Sequence, residues 1–248
     1  MTNTFSNYLT PSWSTPPHIT SFTTLKTKGN STGYYDSYNL AHHVDDNPDH
    51  VTKNRRQLID NWSLPIEPQW LNQTHSTRVI SLTEKTKDLN ADACITTDLN
   101  RPCVVLTADC LPILLCDQSG QEVAAIHAGW RGLLNGIIDN TVHAMQHSAN
   151  HLLAWLGPAI GPNAFAINND IKQQFLEKNL AYRQAFKTKK NTIYADLYDL
   201  ARNNLKALGV RHIDGGDYCT YSDNTRFFSY RRQNITGRMA TLIMIRAK

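Results

Sequence analysis

Hydrophobic positions gather in short runs through the middle of the chain. CVVLTA, PILLCD and EVAAIHA are separated by turn formers such as Gln118-Ser119-Gly120, the pattern of adjacent buried strands. HITSFTTLK reads as a first strand, LLAWLGP as a later one, and RMATLIMIRA as a strong closing strand. From Trp130 the spacing turns helical, with Leu133, Leu134, Ile137, Ile138, Val142 and Met145 on one broad face. That spacing predicts a helix lying over the sheet. IKQQFLEKNLAYRQAF and TIYADLYDLARNNLKALGV also read as helices. The expected fold class is α/β: a single domain of mixed, largely non-parallel sheets covered by helices. Residues 1–17, rich in Ser, Thr and Pro, read as an irregular arm ahead of a domain over 18–248. The sequence contains no internal repeat and neither a GxGxxG nor a GxxxxGK[ST] phosphate loop.

Length and composition narrow the picture a little further. The even spread of apolar segments over 248 residues favours one core. The nearest approach to a membrane span, CVVLTADCLPILLC, is interrupted by Asp109 and Pro112, so no membrane partner is expected. Five cysteines without a CxxC pair, and an opening without a basic region followed by an apolar one, point to the reducing cytoplasm. A net charge of +4 with scattered basic residues is too mild to argue nucleic-acid binding, and it does not oppose an anionic small molecule.

The candidate chemistry sits at the ends of the apolar runs. Thr107-Ala108-Asp109-Cys110-Leu111-Pro112 and Ala125-Ile126-His127-Ala128-Gly129-Trp130-Arg131-Gly132 place a thiol and an imidazole 17 residues apart. His75 lies upstream in Gln73-Thr74-His75-Ser76-Thr77-Arg78. One cysteine and two histidines can make a three-ligand zinc site with a fourth position left for water or substrate. Taken alone, Cys110 fits a buried small hydrophobe and His127 a satisfied core histidine. A neighbouring carboxylate and a proline at a strand end are awkward for a plain core, and Ala128-Gly129 permits close backbone approach. Cys94, Cys103, Cys116 and Cys219 read as core thiols. His143, His147 and His151, four apart near a helix end, read as a solvated cationic stripe. His42 and His43 carry no signal of their own, and neither group is assigned to a metal. Trp130 and Arg131 anchor the helix start, where Arg131 can also meet an anion.

TADCLPILLCD, AAIHAGWRGLLNGII, WLGPAIGP and CTYSDNTRFFSYRRQNITGRMATLIMI closely resemble the YfiH/YlmD family. That family was once called multicopper polyphenol oxidoreductase, or laccase-like, and is now described as purine nucleoside phosphorylase and peptidoglycan editing factor. GNSTGYYDSYNLAHHVDDNPDHVTKNRRQL is similar to its opening region, so the resemblance covers most of the chain. It implies the layered fold of that family, with His75, Cys110 and His127 as metal ligands and catalytic centre. Asn39, Arg55 and Arg231-Arg232 resemble positions near the family's pocket, and Asn39, Arg55 and Arg131 are the expected substrate-binding set. Past GPAIGP the family continues with a Cys and a Glu where this chain reads Asn163-Ala164-Phe165-Ala166-Ile167-Asn168, which points to a different substrate preference.

The activity implied by the resemblance is zinc-dependent phosphorolysis of adenosine and inosine, with methylthioadenosine phosphorolysis and adenosine deamination beside it. The partners are then a purine nucleoside and phosphate. Zinc-activated water explains deamination more directly than phosphorolysis, but the HxE and PCxxC deaminase motifs are absent. The alternative is a hydrolase that edits mis-loaded cell-wall precursors, either through the metal or through Cys110 as nucleophile with His127 as base. A copper-dependent polyphenol oxidase is the third reading. It needs a histidine-rich cluster usually supplied by HxH pairs, and this chain has none, although one copper can occupy a Cys/His₂ site. A non-enzymatic binding protein would close the metal site with a fourth protein ligand.

Overall fold

The computed structural model describes residues 7–247; residues 1–6 of the predicted arm, and Lys248, lie outside the described residues. Within residues 7–17 the chain is not wholly irregular. Tyr8–Leu9 forms a short strand paired antiparallel with Thr23 and Thr24, and the Trp13 indole donates to Ser21 Oγ.

Two sheets stack face to face. The larger has six strands in the order His212–Gly215, Leu152–Leu156, Leu111–Asp117, Val123–Ala128, Ala93–Thr96 and Val79–Ser81. Its outer pairs are parallel and its inner pairs antiparallel. The smaller has four strands, Tyr8–Leu9, Ile19–Thr24, Met239–Ile245 and Cys103–Thr107, all antiparallel. A third, peripheral sheet holds Phe186–Lys189, Thr192–Ala195 and Ala166–Ile167.

Apolar side chains fill three interfaces. Leu114, Cys116 and Ala125 of the six-stranded sheet meet Cys103, Val105 and Ile243 of the four-stranded one. On the far side of the larger sheet, Ile113, Leu115 and Ile126 pack against Leu133, Ile138, Leu200 and Leu205. On the far side of the smaller sheet, Phe22, Leu106 and Leu242 pack against Leu58 of the helix Pro48–Trp62. The order is therefore helix, sheet, sheet, helices. Because the central strands are covered on both faces, every residue of Leu111–Asp117 and Met239–Ile245 is buried, and their sequences run apolar without alternation.

The mixed α/β single domain expected from the sequence is the fold found, but four details differ. The helix read through IKQQFLEKNLAYRQAF ends at Lys178; after the extended Asn179 comes a 3-10 helix, Leu180–Ala185, and Phe186 opens a strand. CVVLT is not a neighbour of the next two runs in one sheet; it belongs to the four-stranded sheet, and the chain crosses between sheets through Ala108, Asp109 and Cys110. The predicted helix after Trp130 is two helices, Trp130–Asn135 and Ile137–Ala144. Gly136 lies between them at φ 96°, a left-handed conformation that caps the first helix and that glycine adopts without a Cβ penalty. Finally, TIYA is a strand, and the helix Leu197–Ala207 starts only after Asp196, whose carboxylate accepts from the Tyr198 and Asp199 amides.

Candidate active site

Three neighbouring strands bring the chemistry together at one end of the larger sheet. Leu111 pairs with Ala128 and Pro112 with His127, so Cys110 lies opposite Gly129. Ala93 pairs with Ile126, and the His127 amide donates to Asp92 O at 2.7 Å. His75 comes from a separate loop. Gln73 ties that loop to the smaller sheet by donating from Nε2 to Leu106 O (2.8 Å) while its Oε1 accepts from the Leu106 amide (2.7 Å).

Asp92 organises both histidines from below. Its carboxylate, buried at 0% exposure, accepts from His127 Nδ1 at 2.7 Å and from the Thr74, His75 and Ser76 amides and Ser76 Oγ. Those amide bonds hold His75 at φ 60°, a left-handed conformation uncommon outside glycine. The resulting rings of His75 and His127 sit edge to face, 4.8 Å apart. Gly129 is required beside them: a Cβ there would stand 2.8 Å from His75 Cδ2 and 3.1 Å from Cys110 Sγ. Cys110 is aimed by Asp109, at φ 92°, whose carboxylate is fixed by Thr220, Ser229 and the Arg231 amide.

The donor atoms of His75, Cys110 and His127 all lie within 4.8 Å of one another, and this is the one such metal-capable group among the described residues. Cys110 Sγ and His75 Nε2 are 3.6 Å apart. A tetrahedral zinc with its usual bond lengths sets its sulfur and nitrogen ligands about 3.6 Å apart, a separation the Cys110–His75 pair matches. The donor chemistry suits one too. Burial pushes the Cys110 thiol up, but the charge of His127 and hydrogen bonds from both histidines outweigh burial and bring it down to about 6. Burial likewise opposes the charge on His127, which the Cys110 thiolate and Asp92 nevertheless raise to about 9. At neutral pH the metal-free pair is therefore a thiolate beside an imidazolium. Asp92 keeps the His127 Nδ1 occupied, so Nε2 is the nitrogen that would be offered to a metal.

Above the three donors opens a cavity of about 510 Å³, whose wall includes His43, Trp130, Phe165, Tyr230 and Arg238. Among the described residues no carboxylate joins the three donors, and all three line this cavity.

Comparison with known proteins accords with this geometry. Residues 20–246 match the family model described as multi-copper polyphenol oxidoreductase laccase. The chain is 43% identical to the purine nucleoside phosphorylase YfiH of Escherichia coli K12, over 97% of this chain and 99% of that one. A purine nucleoside phosphorylase of Haemophilus influenzae is 44% identical, over 95% and 98%. A Neisseria meningitidis crystal structure superposes with a TM-score of 0.93 at 41% identity, covering 98% of this chain and all of that one. YlmD from Geobacillus stearothermophilus superposes at 0.84 with 26% identity and the same coverage. The chain belongs to the YfiH/YlmD family.

Of the residues picked from the sequence of this YfiH/YlmD member, the structure gathers His75, Cys110 and His127 and sets Arg131 on the cavity wall, its guanidinium 4.4 Å above the Trp130 ring. Arg231 also lines the cavity, beside Phe165, whereas Arg232 ties loops together through Thr220, Tyr221 and Phe227 carbonyls. Asn39 and Arg55 do not line it. Asn39 is buried beneath the wall with its amide saturated: Nδ2 donates to Ala41 O and Asp46 Oδ2, and Oδ1 accepts from the Ala41 and Arg238 amides. Arg55 donates from Nε to Leu40 O at 2.9 Å and stacks 4.0 Å from the Trp70 ring, and burial lowers its pKa to about 10. Arg55→Ala should accordingly lower stability by roughly 1–3 kcal/mol by leaving the buried Leu40 carbonyl unpaired. Urea denaturation beside steady-state kinetics checks this; a raised KM at unchanged stability would return Arg55 to the substrate.

The histidine stripe is also corrected. The helix ends at Ala144, and His147 is not a free solvated group: Nδ1 lies 3.1 Å from Glu122 and Nε2 3.8 Å from Asp117, both carboxylates buried. Sequence reasoning missed Asp92, His43, Tyr230 and Arg238. His43 followed an identical residue with no periodic pattern to separate them, and Asp92 announced itself only through its partner strand.

Proposed function

We propose that this chain is a zinc-dependent purine nucleoside phosphorylase acting on adenosine and inosine. The observation that carries the reading is a three-donor metal group with an open position at the floor of a 510 Å³ cavity, within the roughly 300–1,000 Å³ span of small-molecule sites. The relatives named purine nucleoside phosphorylase match over almost their whole length, which supports the substrate class. His75, Cys110 and His127 would hold the zinc, which supplies a fixed positive charge for polarising a substrate oxygen or activating water.

The protein's own groups account for binding and orientation. Trp130, Phe165 and Tyr230 offer aromatic surface to a purine ring, and Leu106 and Ile160 exclude water from its edge. In phosphorolysis the bond from C1′ to the purine nitrogen breaks, a phosphate oxygen bonds to C1′, and the departing base takes up a proton. Asp92 serves by keeping both histidines oriented through the reaction. Incubation of adenosine or inosine with phosphate should release free base and ribose 1-phosphate, read by chromatography. Absence of free base at every phosphate concentration overturns the reading, and inosine appearing from adenosine replaces it with deamination.

One observation favours a second reading. Asp92, His127 and Cys110 form the carboxylate, imidazole and thiol sequence of a cysteine-dependent hydrolase, with the thiol already depressed to about 6. Hydrolysis of a cell-wall precursor by that route would survive a chelator and be lost to a thiol-alkylating reagent. A copper polyphenol oxidase is served less well, since among the described residues only one metal-capable group exists.

A further inference from the structure

We infer that Arg238, with His43 beside it, forms a tetrahedral-oxyanion subsite of the cavity that takes inorganic phosphate. The inference rests on the phosphorylase reading and adds to it the place where the second substrate is held.

The cavity wall carries three arginines, Arg131, Arg231 and Arg238, and a single carboxylate, Asp109. That carboxylate is turned into the protein. Its Oδ1 accepts from Thr220 Oγ1 at 2.6 Å, and its Oδ2 from Ser229 Oγ at 3.0 Å and the Arg231 amide at 2.6 Å. Among the described lining residues the three guanidiniums outnumber the two anionic groups, the inward-turned Asp109 carboxylate and the Cys110 thiolate, a balance that favours an anionic ligand.

The three arginines are not equivalent. Arg131 and Arg231 are exposed, and each is engaged at the rim, Arg131 over Trp130 and Arg231 over Phe165 with Nη1 donating to Ala166 O. Arg238 also has a ring partner, Tyr230 at 5.8 Å, but differs in being half-buried, at the foot of the strand Met239–Ile245. Its amide is held by Asn39 Oδ1 at 2.9 Å, and its Nη1 donates to the Thr236 and Gly237 carbonyls. No carboxylate pairs with it among the described residues, and Nε and Nη2 make no hydrogen bond there. Two adjacent N–H groups of a guanidinium, held by the backbone and aimed at no protein acceptor, match the two oxygens of a phosphate. The Asp46 carboxylate completes the support by accepting from Asn39 Nδ2.

His43 lines the same cavity. Burial, then the charges of Arg238, Arg55, His127 and His42, hold its imidazole below the ordinary histidine range. A neutral ring there can donate one hydrogen bond to an anion without adding a charge that must be desolvated.

The test is calorimetric titration of the metal-loaded full chain with inorganic phosphate, and separately with adenosine monophosphate, for wild type, Arg238→Gln and Arg238→Lys. The expected result is phosphate binding that weakens about tenfold or more in the Gln variant and partly recovers in the Lys variant, since a point charge replaces some of the bidentate contact. In turnover, the Gln variant should raise KM for phosphate by a similar factor while KM for the nucleoside stays within about twofold. Absence of phosphate binding to wild type, unchanged phosphate affinity in a folded Gln variant, or binding of the nucleotide alone overturns the inference. If the Gln variant does not fold, phenylglyoxal labelling of wild type decides: phosphate must shield Arg238, and labelling indifferent to phosphate overturns it. Phosphate binding lost on Arg238→Gln, in a protein that never releases free base, sinks the phosphorylase reading and leaves the anion subsite standing.

Discussion

Cys110→Ala is expected to lose the tightly bound metal and to retain less than about 1% of phosphorolysis, because several kcal/mol of charge stabilisation disappear and each ~1.4 kcal/mol is tenfold in rate. The thiolate is the only anionic donor of the three, so its removal leaves two neutral imidazoles to hold a divalent cation. Two such ligands are one short of the three-donor catalytic set. The fold should survive. Cys110 lies between strands rather than within one, and its backbone conformation is set by Asp109 and its three partners. Elemental analysis of protein purified without added metal, together with turnover of adenosine and inosine, reads both effects; about one zinc per chain is expected for wild type. Zinc retained unchanged by the double variant Cys110→Ala, His127→Ala would show that its ligands lie elsewhere.

The central strands were legible in the sequence because both of their faces are covered. Cysteine, valine, isoleucine and leucine then fill consecutive positions, and a run of five to seven such residues has few other destinations. Which sheet each run joins was not legible. Nothing local distinguishes CVVLT, paired with the C-terminal strand 130 or more residues away, from PILLCD, paired with its neighbour. The helix after Trp130 kept its apolar face across the break, so periodicity alone merged the two pieces; Gly136 was the available signal. Cys110 and His127 stood out as polar groups at the ends of apolar runs. Asn39 and Arg55, at positions that resemble the family's pocket, support the wall instead of lining it, and Asn39 does so by holding the Arg238 amide. Asp92 lay hidden because an aspartate before a short strand has many local explanations, and its partners come from two other segments.

Asp92 is where the second large effect is expected: Asp92→Asn should weaken metal binding about 10–100-fold, the usual consequence of losing the partner that orients a ligand histidine. The carboxylate accepts from five donors, Oδ1 from His127 Nδ1 and the His75 amide, Oδ2 from the Thr74 and Ser76 amides and Ser76 Oγ. An amide of the same shape puts an NH₂ group at one of these two sets. Turned one way it faces His127 and His75; turned the other, it faces the loop that carries His75. In either orientation at least two donors lose their acceptor, at roughly 1–3 kcal/mol each where they are buried. The pH dependence gives a second readout. Burial raises the Asp92 pKa, but the hydrogen bonds with His127 and Ser76 overcome it and hold the group at about 2, below the ordinary ~3.9 of an unfolded aspartate. The stabilisation is therefore fully present above about pH 4 and is lost as pH falls toward 2, so the stability gap between wild type and variant should narrow over that window. Competitive chelation measures the affinity, and denaturant unfolding between pH 7 and pH 3 measures the gap. A variant that binds zinc within twofold of wild type, with the same unfolding midpoint at every pH, would leave Asp92 no part in holding the two histidines.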